Sequence, residues 1–204
     1  MVVRINLTLM YEIVEPAMTA STVRAPRRAR AILRSIVPAI AGIAAALAIG
    51  SQPGVAPVIM VCAAIYLFAA TIERRWGAWL GFALSFAVLA PGFVLRDPWI
   101  PIVALGVIQL GLVVVGLLRG TWRAPSARLQ LYGAVAFGAL AVVAAAELAP
   151  WAGIAAIAGL LGHGGWDLWH HRADAVVTRS YALFCAALDI ALAAVVAVAA
   201  ITGR

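Results

Sequence analysis

The chain contains no lysine; all fifteen of its basic residues are arginine. That absence excludes mechanisms built on a lysine Schiff base, a retinal-bearing seven-helix pump among them, and equally the lysine of a phosphate-binding P-loop. Charge of any kind is scarce, at 11% of residues against roughly 25% in an ordinary soluble domain. Cysteine is scarcer still. Cys62 and Cys185 both fall inside apolar segments, which argues against a structural disulfide and makes each read as a small buried hydrophobe. No internal repeat and no matched pair of interrupted helices is visible, which argues against an inverted-repeat transporter. Residues 1–32 hold no long apolar run ending in a small-residue cleavage site, so no removable signal peptide is expected, and Met10 and Met18 are alternative starts.

What the chain has in abundance is apolar surface. Hydrophobic residues make up 65% and the mean hydropathy is +1.04, values of an all-α, polytopic membrane protein rather than a soluble domain. Seven segments approach the roughly 20 residues needed to cross a bilayer: 33–49, 55–72, 77–95, 99–118, 129–148, 153–169 and 180–201. The breaks between them are short and carry Gly, Pro or charged residues. A basic, mostly flexible arm, residues 1–32, precedes a seven-helix transmembrane domain, residues 33–204.

The arginines test the helix number independently. Arg24, Arg27, Arg28, Arg30 and Arg34 flank the first segment; Arg74 and Arg75, then Arg119, Arg123 and Arg128, then Arg172 and Arg179 occupy alternate loops, while only Arg96 and Arg204 fall on the other side. The positive-inside rule then predicts seven spans with the N-terminus cytoplasmic and the C-terminus outside. The formal charge of +7 is accordingly read as a topology signal. The expected partner is the lipid bilayer and not nucleic acid, and the oligomeric state stays open. Trp76, Trp79, Trp99, Trp122, Trp151 and Trp169 fall near segment ends, as interfacial anchors do.

All three histidines lie in one run, His163-Gly-Gly-Trp-Asp167-Leu-Trp-His170-His171-Arg172. Ionisable residues inside a membrane are costly and mark a site by default. At about 100° per residue, Asp167, His170 and His171 all share the helical face of His163. On the last segment Tyr181, Cys185 and Asp189 recur every four residues, a second polar stripe. The two helices are expected to be antiparallel, which brings Asp189 close to the level of His163 and Cys185 close to that of Asp167 at about 1.5 Å per residue.

Imidazole and carboxylate ligands suit Zn²⁺ or Fe²⁺, and three ligands with an open position make a catalytic metal site. The expected ligands are His163, Asp167, His170 and Asp189, with Asp167 or Asp189 doubling as general base. His171, Arg172, Cys185, Tyr181 and Glu73 are the candidates for support around them, with Arg172 suited to an anionic headgroup or phosphate. The opposing reading is that Asp167 and Asp189 pair with histidines or arginines simply to hold helices together.

The run His163-x-x-Trp166-Asp167-x-x-His170-His171-Arg172 followed by Cys185-x-x-x-Asp189 resembles a group of small bacterial multi-pass membrane proteins, over about residues 160–192 only. This resemblance implies a bacterial inner-membrane protein with a His/Asp pattern, and no activity, substrate or cofactor. A looser analogy is to the seven-helix, zinc-dependent membrane hydrolases of the alkaline ceramidase and adiponectin-receptor type. Those spread their ligands over other helices and include a His-x-x-x-His pair near the C-terminus, where this chain has Cys185 and Asp189. Three functions remain open at this point: a metal-dependent enzyme acting on a lipid or other apolar small molecule, a proton or metal-ion transporter, and a non-catalytic subunit of a membrane complex.

Overall fold

A computed structural model describes residues 27–50, 55–147 and 151–203. Most of the basic arm expected over residues 1–32 therefore lies outside the described residues. The described residues form seven α-helices with no β-strand: α1 (Arg27–Ile49), α2 (Val55–Thr71), α3 (Gly77–Leu95), α4 (Trp99–Arg119), α5 (Pro125–Ala145), α6 (Trp151–Ala173) and α7 (Arg179–Thr202). A single 3₁₀ turn, Thr121–Arg123, links α4 to α5.

Local chemistry explains the helix ends. α4 stops where Gly120 turns left-handed at φ 72° and its N–H caps the carbonyls of Gly116 and Leu117, a conformation that costs glycine nothing. Asp97 accepts a bond from the Trp99 N–H at 2.8 Å, and Thr178 accepts one from the Tyr181 N–H at 3.4 Å. Both satisfy donors that a helix start leaves without intrahelical partners.

Four helices, α3, α4, α5 and α7, are long and apolar enough to cross a membrane. α2 is shorter and occupies a different place. Its 17 residues are apolar on every side, and all but Phe68 are buried, the pattern of a helix enclosed by others. α3, α4, α5 and α6 all pack against it, and α6 and α7 make the most extensive pair in the bundle. By contrast α3 and α4 turn Leu84, Phe86, Val94, Val103, Val107, Leu110 and Leu118 outward.

Close approach needs small residues at two crossings. A Cβ at Gly42 of α1 would strike the Phe184 carbonyl oxygen and lie 2.9 Å from the Leu188 nitrogen, so α1 meets the backbone of α7 there. A Cβ at Gly164 would lie 3.0 Å from the Ile190 side chain, and this glycine sets the spacing of α6 and α7. Trp122, expected at a lipid interface, is instead buried. Its indole N–H donates to the Val113 carbonyl at 2.9 Å and its ring packs on Gly116, which pins the 3₁₀ turn to α4.

Three arginine-bearing turns gather at one end of the bundle. Arg75 bonds to Asp174 and donates to the Val177 carbonyl at 3.2 Å, Arg179 lies 3.3 Å from Asp174, and the Thr121 hydroxyl donates to Glu73 at 3.2 Å. The guanidinium of Arg75, through its hydrogen bond and then its charge, holds the Asp174 carboxyl below the usual carboxylate range. These contacts tie the α2–α3 turn to the α4–α5 and α6–α7 connections.

Candidate metal centre

α6 supplies the first part of the site. Its helix runs past Trp169 to Ala173, four residues beyond the apolar segment, because histidine and arginine in a last turn complement the helix dipole. His163, Asp167 and His170 are all buried on its inner face, whereas His171 is half-buried at the edge and Arg172 is exposed. α7 presents Tyr181, Cys185 and Asp189, all buried, toward them.

The centre of the site is His163 Nδ1. It lies 2.8 Å from Asp189 Oδ2 and 3.2 Å from Asp167 Oδ2, and all three residues are at most 1% exposed. One ring nitrogen thus faces two carboxylates. A single N–H divided between them, or one cation taking a bond from each group, are the two ways to hold such oxygens together away from water. His163 Nε2 has no hydrogen-bond partner among the described residues, and the His163 ring lies beside that of Phe137, with ring centroids 4.8 Å apart.

The third contributor is α2. Tyr66 donates its hydroxyl proton to Asp167 Oδ1 at 2.6 Å, and Cys62 Sγ lies 3.8 Å from Asp189 Oδ1. One ligand atom each from Cys62, His163 and Asp189 lie within 4.8 Å of one another, so this buried group could hold a metal ion. Neither α2 residue stood out in the sequence as part of the centre, because α2 is apolar all round and no periodicity marks one of its faces.

His170 has a different task. Its Nδ1–H donates to the Trp166 carbonyl at 3.0 Å, which leaves Nε2 to accept from the Gln130 amide at 3.1 Å. Both ring nitrogens are engaged, and its imidazole packs against Tyr66 with centroids 4.7 Å apart. It stands beside the His163 group and braces the tyrosine that holds Asp167. Gln130 itself is fixed by a second bond, to the Ser126 carbonyl at 2.9 Å.

The other candidates are dispersed. His171 Nδ1 donates to the Arg179 carbonyl at 3.1 Å, and Glu73 sits at the α2–α3 turn with Thr121. Cys185 and Tyr181 border the group on α7. With Cys62 they line an apolar cavity of about 210 Å³ walled by Ile65, Phe82, Phe86 and Leu188.

Replacing Tyr66 by phenylalanine keeps the ring contact with His170 and removes only the donor to Asp167. An unsatisfied buried acceptor costs about 1–3 kcal/mol, so the Y66F protein is expected to unfold earlier by that amount in a denaturant titration.

No protein-family model, curated protein sequence or solved structure gives a significant match to this chain.

Proposed function

We propose that the chain is a seven-span membrane protein, with its arginine-rich end cytoplasmic, that holds a zinc ion between Cys62, His163 and Asp189 and uses it to hydrolyse an apolar substrate. The observation that carries this reading is the convergence of a thiol, an imidazole and a carboxylate from α2, α6 and α7 in one buried place. The four helices apolar enough to span and the outward leucine, valine and phenylalanine side chains of α3 and α4 support the membrane assignment.

The donor set favours zinc over iron. A thiolate with one imidazole and one carboxylate suits Zn²⁺, whereas oxygen-activating iron sites typically take two imidazoles and a carboxylate. A bound zinc ion supplies Lewis acidity toward a carbonyl oxygen and acidifies a water. Asp167, oriented by Tyr66 and 3.2 Å from His163 Nδ1, is placed to complete the ligand set or to accept the proton of an attacking water. The cavity bordered by Cys62, Tyr181 and Cys185 is lined by apolar and aromatic side chains and would receive a lipid-like substrate directly from the bilayer.

Hydrolysis is preferred to transport for one reason. Beyond Asp189 the residues of α7 from Ile190 to Ile201 are all apolar, so that helix offers no polar side chain to carry an ion onward from the site.

Elemental analysis of the detergent-purified full chain tests the proposal. About one zinc per chain is expected, falling to near zero in Asp189→Asn and Cys62→Ser. A zinc-free wild type that also fails to take up added zinc would overturn the reading.

A further inference from the structure

A cavity of about 460 Å³ at the arginine-bearing end lies apart from the His163 group and within the size range of ligand pockets. Its floor is Ala69 and Ala70 at the end of α2, Ala127 in the first turn of α5 and Val176 of the α6–α7 connection, with the exposed Ala124 at its edge. Its rim holds Arg74, Arg75 and Arg123, with Glu73 as the one acidic group. Three arginines therefore border the cavity against one glutamate.

The engagement of these groups differs. Arg75 is bound to Asp174 and the Val177 carbonyl, and Glu73 accepts from Thr121. Arg74 and Arg123 have no ion-pair partner among the described residues. The start of α5 meets the same space without a side-chain cap, and its first turn carries no acidic residue. Ala127 and Arg128 both bond back to the Ala124 carbonyl and Pro125 has no N–H, so the Ser126 N–H is the donor of that turn left without a partner among the described residues. Two unpaired guanidinium groups and an uncapped start of a 21-residue helix around one cavity form a setting for a doubly charged oxyanion.

We infer that this cavity is a phosphoryl-binding site, in which Arg74 and Arg123 take the oxygens of a phosphate monoester with the Ser126 N–H and the start of α5. The phosphoryl group comes either from free phosphate or from a lipid headgroup, and the apolar floor accommodates what is attached to it. The site shares no residue with the proposed zinc centre and does not depend on it.

The test uses the full chain in detergent and two probes, inorganic phosphate and short-chain phosphatidic acid, with chloride at matched ionic strength as the blank. Saturable binding is followed by thermal shift and by titration calorimetry. Binding of inorganic phosphate identifies free phosphate as sufficient; binding of phosphatidic acid alone identifies the lipid headgroup. In either case the double variant R74Q/R123Q is expected to weaken binding by about tenfold or more, since hydrogen bonds to charged groups are the strong ones. Glu73→Gln, which removes the opposing carboxylate, is expected to tighten binding several-fold, a gain that misfolding does not mimic. Saturable binding of neither probe, an R74Q/R123Q protein that binds like wild type, or an E73Q protein that binds no tighter, overturns the assignment.

Discussion

His163→Ala is expected to empty the centre of metal and to destabilise the fold at the same time. Substituting groups that merely orient a ligand costs 10–100-fold in metal affinity, and His163 is itself the shared neighbour of both carboxylates, at 2.8 and 3.2 Å. Zinc affinity should therefore fall by about 100-fold or more. The fold suffers separately. Asp167 and Asp189 are fully buried, and removing the one imidazole between them leaves two like groups facing each other. Breaking such a buried arrangement costs about 3–5 kcal/mol, which should register as a large drop in unfolding midpoint. Tyr66→Phe separates the two effects, because it disturbs Asp167 yet keeps the three donors of the metal group. It should bind zinc while losing stability. An H163A protein with wild-type zinc content would sink the assignment of His163 as a ligand.

Gly42→Leu is expected to lift α1 off the bundle. At most helix contacts a new methyl meets the end of a flexible side chain, which yields. Here it meets the Phe184 carbonyl oxygen and the Leu188 nitrogen, atoms of a hydrogen-bonded helix that cannot retreat without breaking its own ladder. Overpacking costs about 1–3 kcal/mol and occasionally more, and a clash with backbone falls at the upper end. Ala45, Ala48 and Ile49 of α1 wall the cavity that Cys62 and Cys185 also line, so displacement of α1 should expose both thiols. Alkylation of Cys185 by a membrane-permeant maleimide should be at least about tenfold faster than in wild type. Gly165→Ala is the control, since a Cβ at that position meets nothing within 4 Å and alanine favours a helix by about 0.5–1 kcal/mol. Equal thiol reactivity in G42L and wild type would show that α1 does not close this cavity.

Much of the helix layout can be read from the chain. Apolar runs separated by Gly, Pro and Arg mark the seven segments closely, and a count of 1.5 Å per residue from the α6–α7 turn brings Asp189 level with His163, where the two lie 2.8 Å apart. What escaped the sequence did so for physical reasons. α2 is apolar on all sides, so its composition says that it is enclosed but not which way Cys62 and Tyr66 point. α6 continues four residues past its last tryptophan because polar residues in a closing turn do not stop a helix. The engagement of both His170 nitrogens depends on Gln130, forty positions away on α5, and no local pattern carries information over that distance. Trp122 was read from its place near a segment end, whereas its burial follows from the absence of a side chain at Gly116.

The enclosure of α2 has a consequence for how the protein is made. Tyr66 precedes its partner Asp167 by 101 residues, and Cys62 precedes Asp189 by 127. At the usual 5–20 residues per second of synthesis, the partners emerge about 5–25 seconds later. During that interval the short α2 segment has a phenol and a thiol unmatched. The central helix of the finished bundle is thus made early and seated late, since its partners exist only after α6 and α7 arrive. Assembly therefore has to keep α2 free to take its central place until synthesis of the chain is nearly complete.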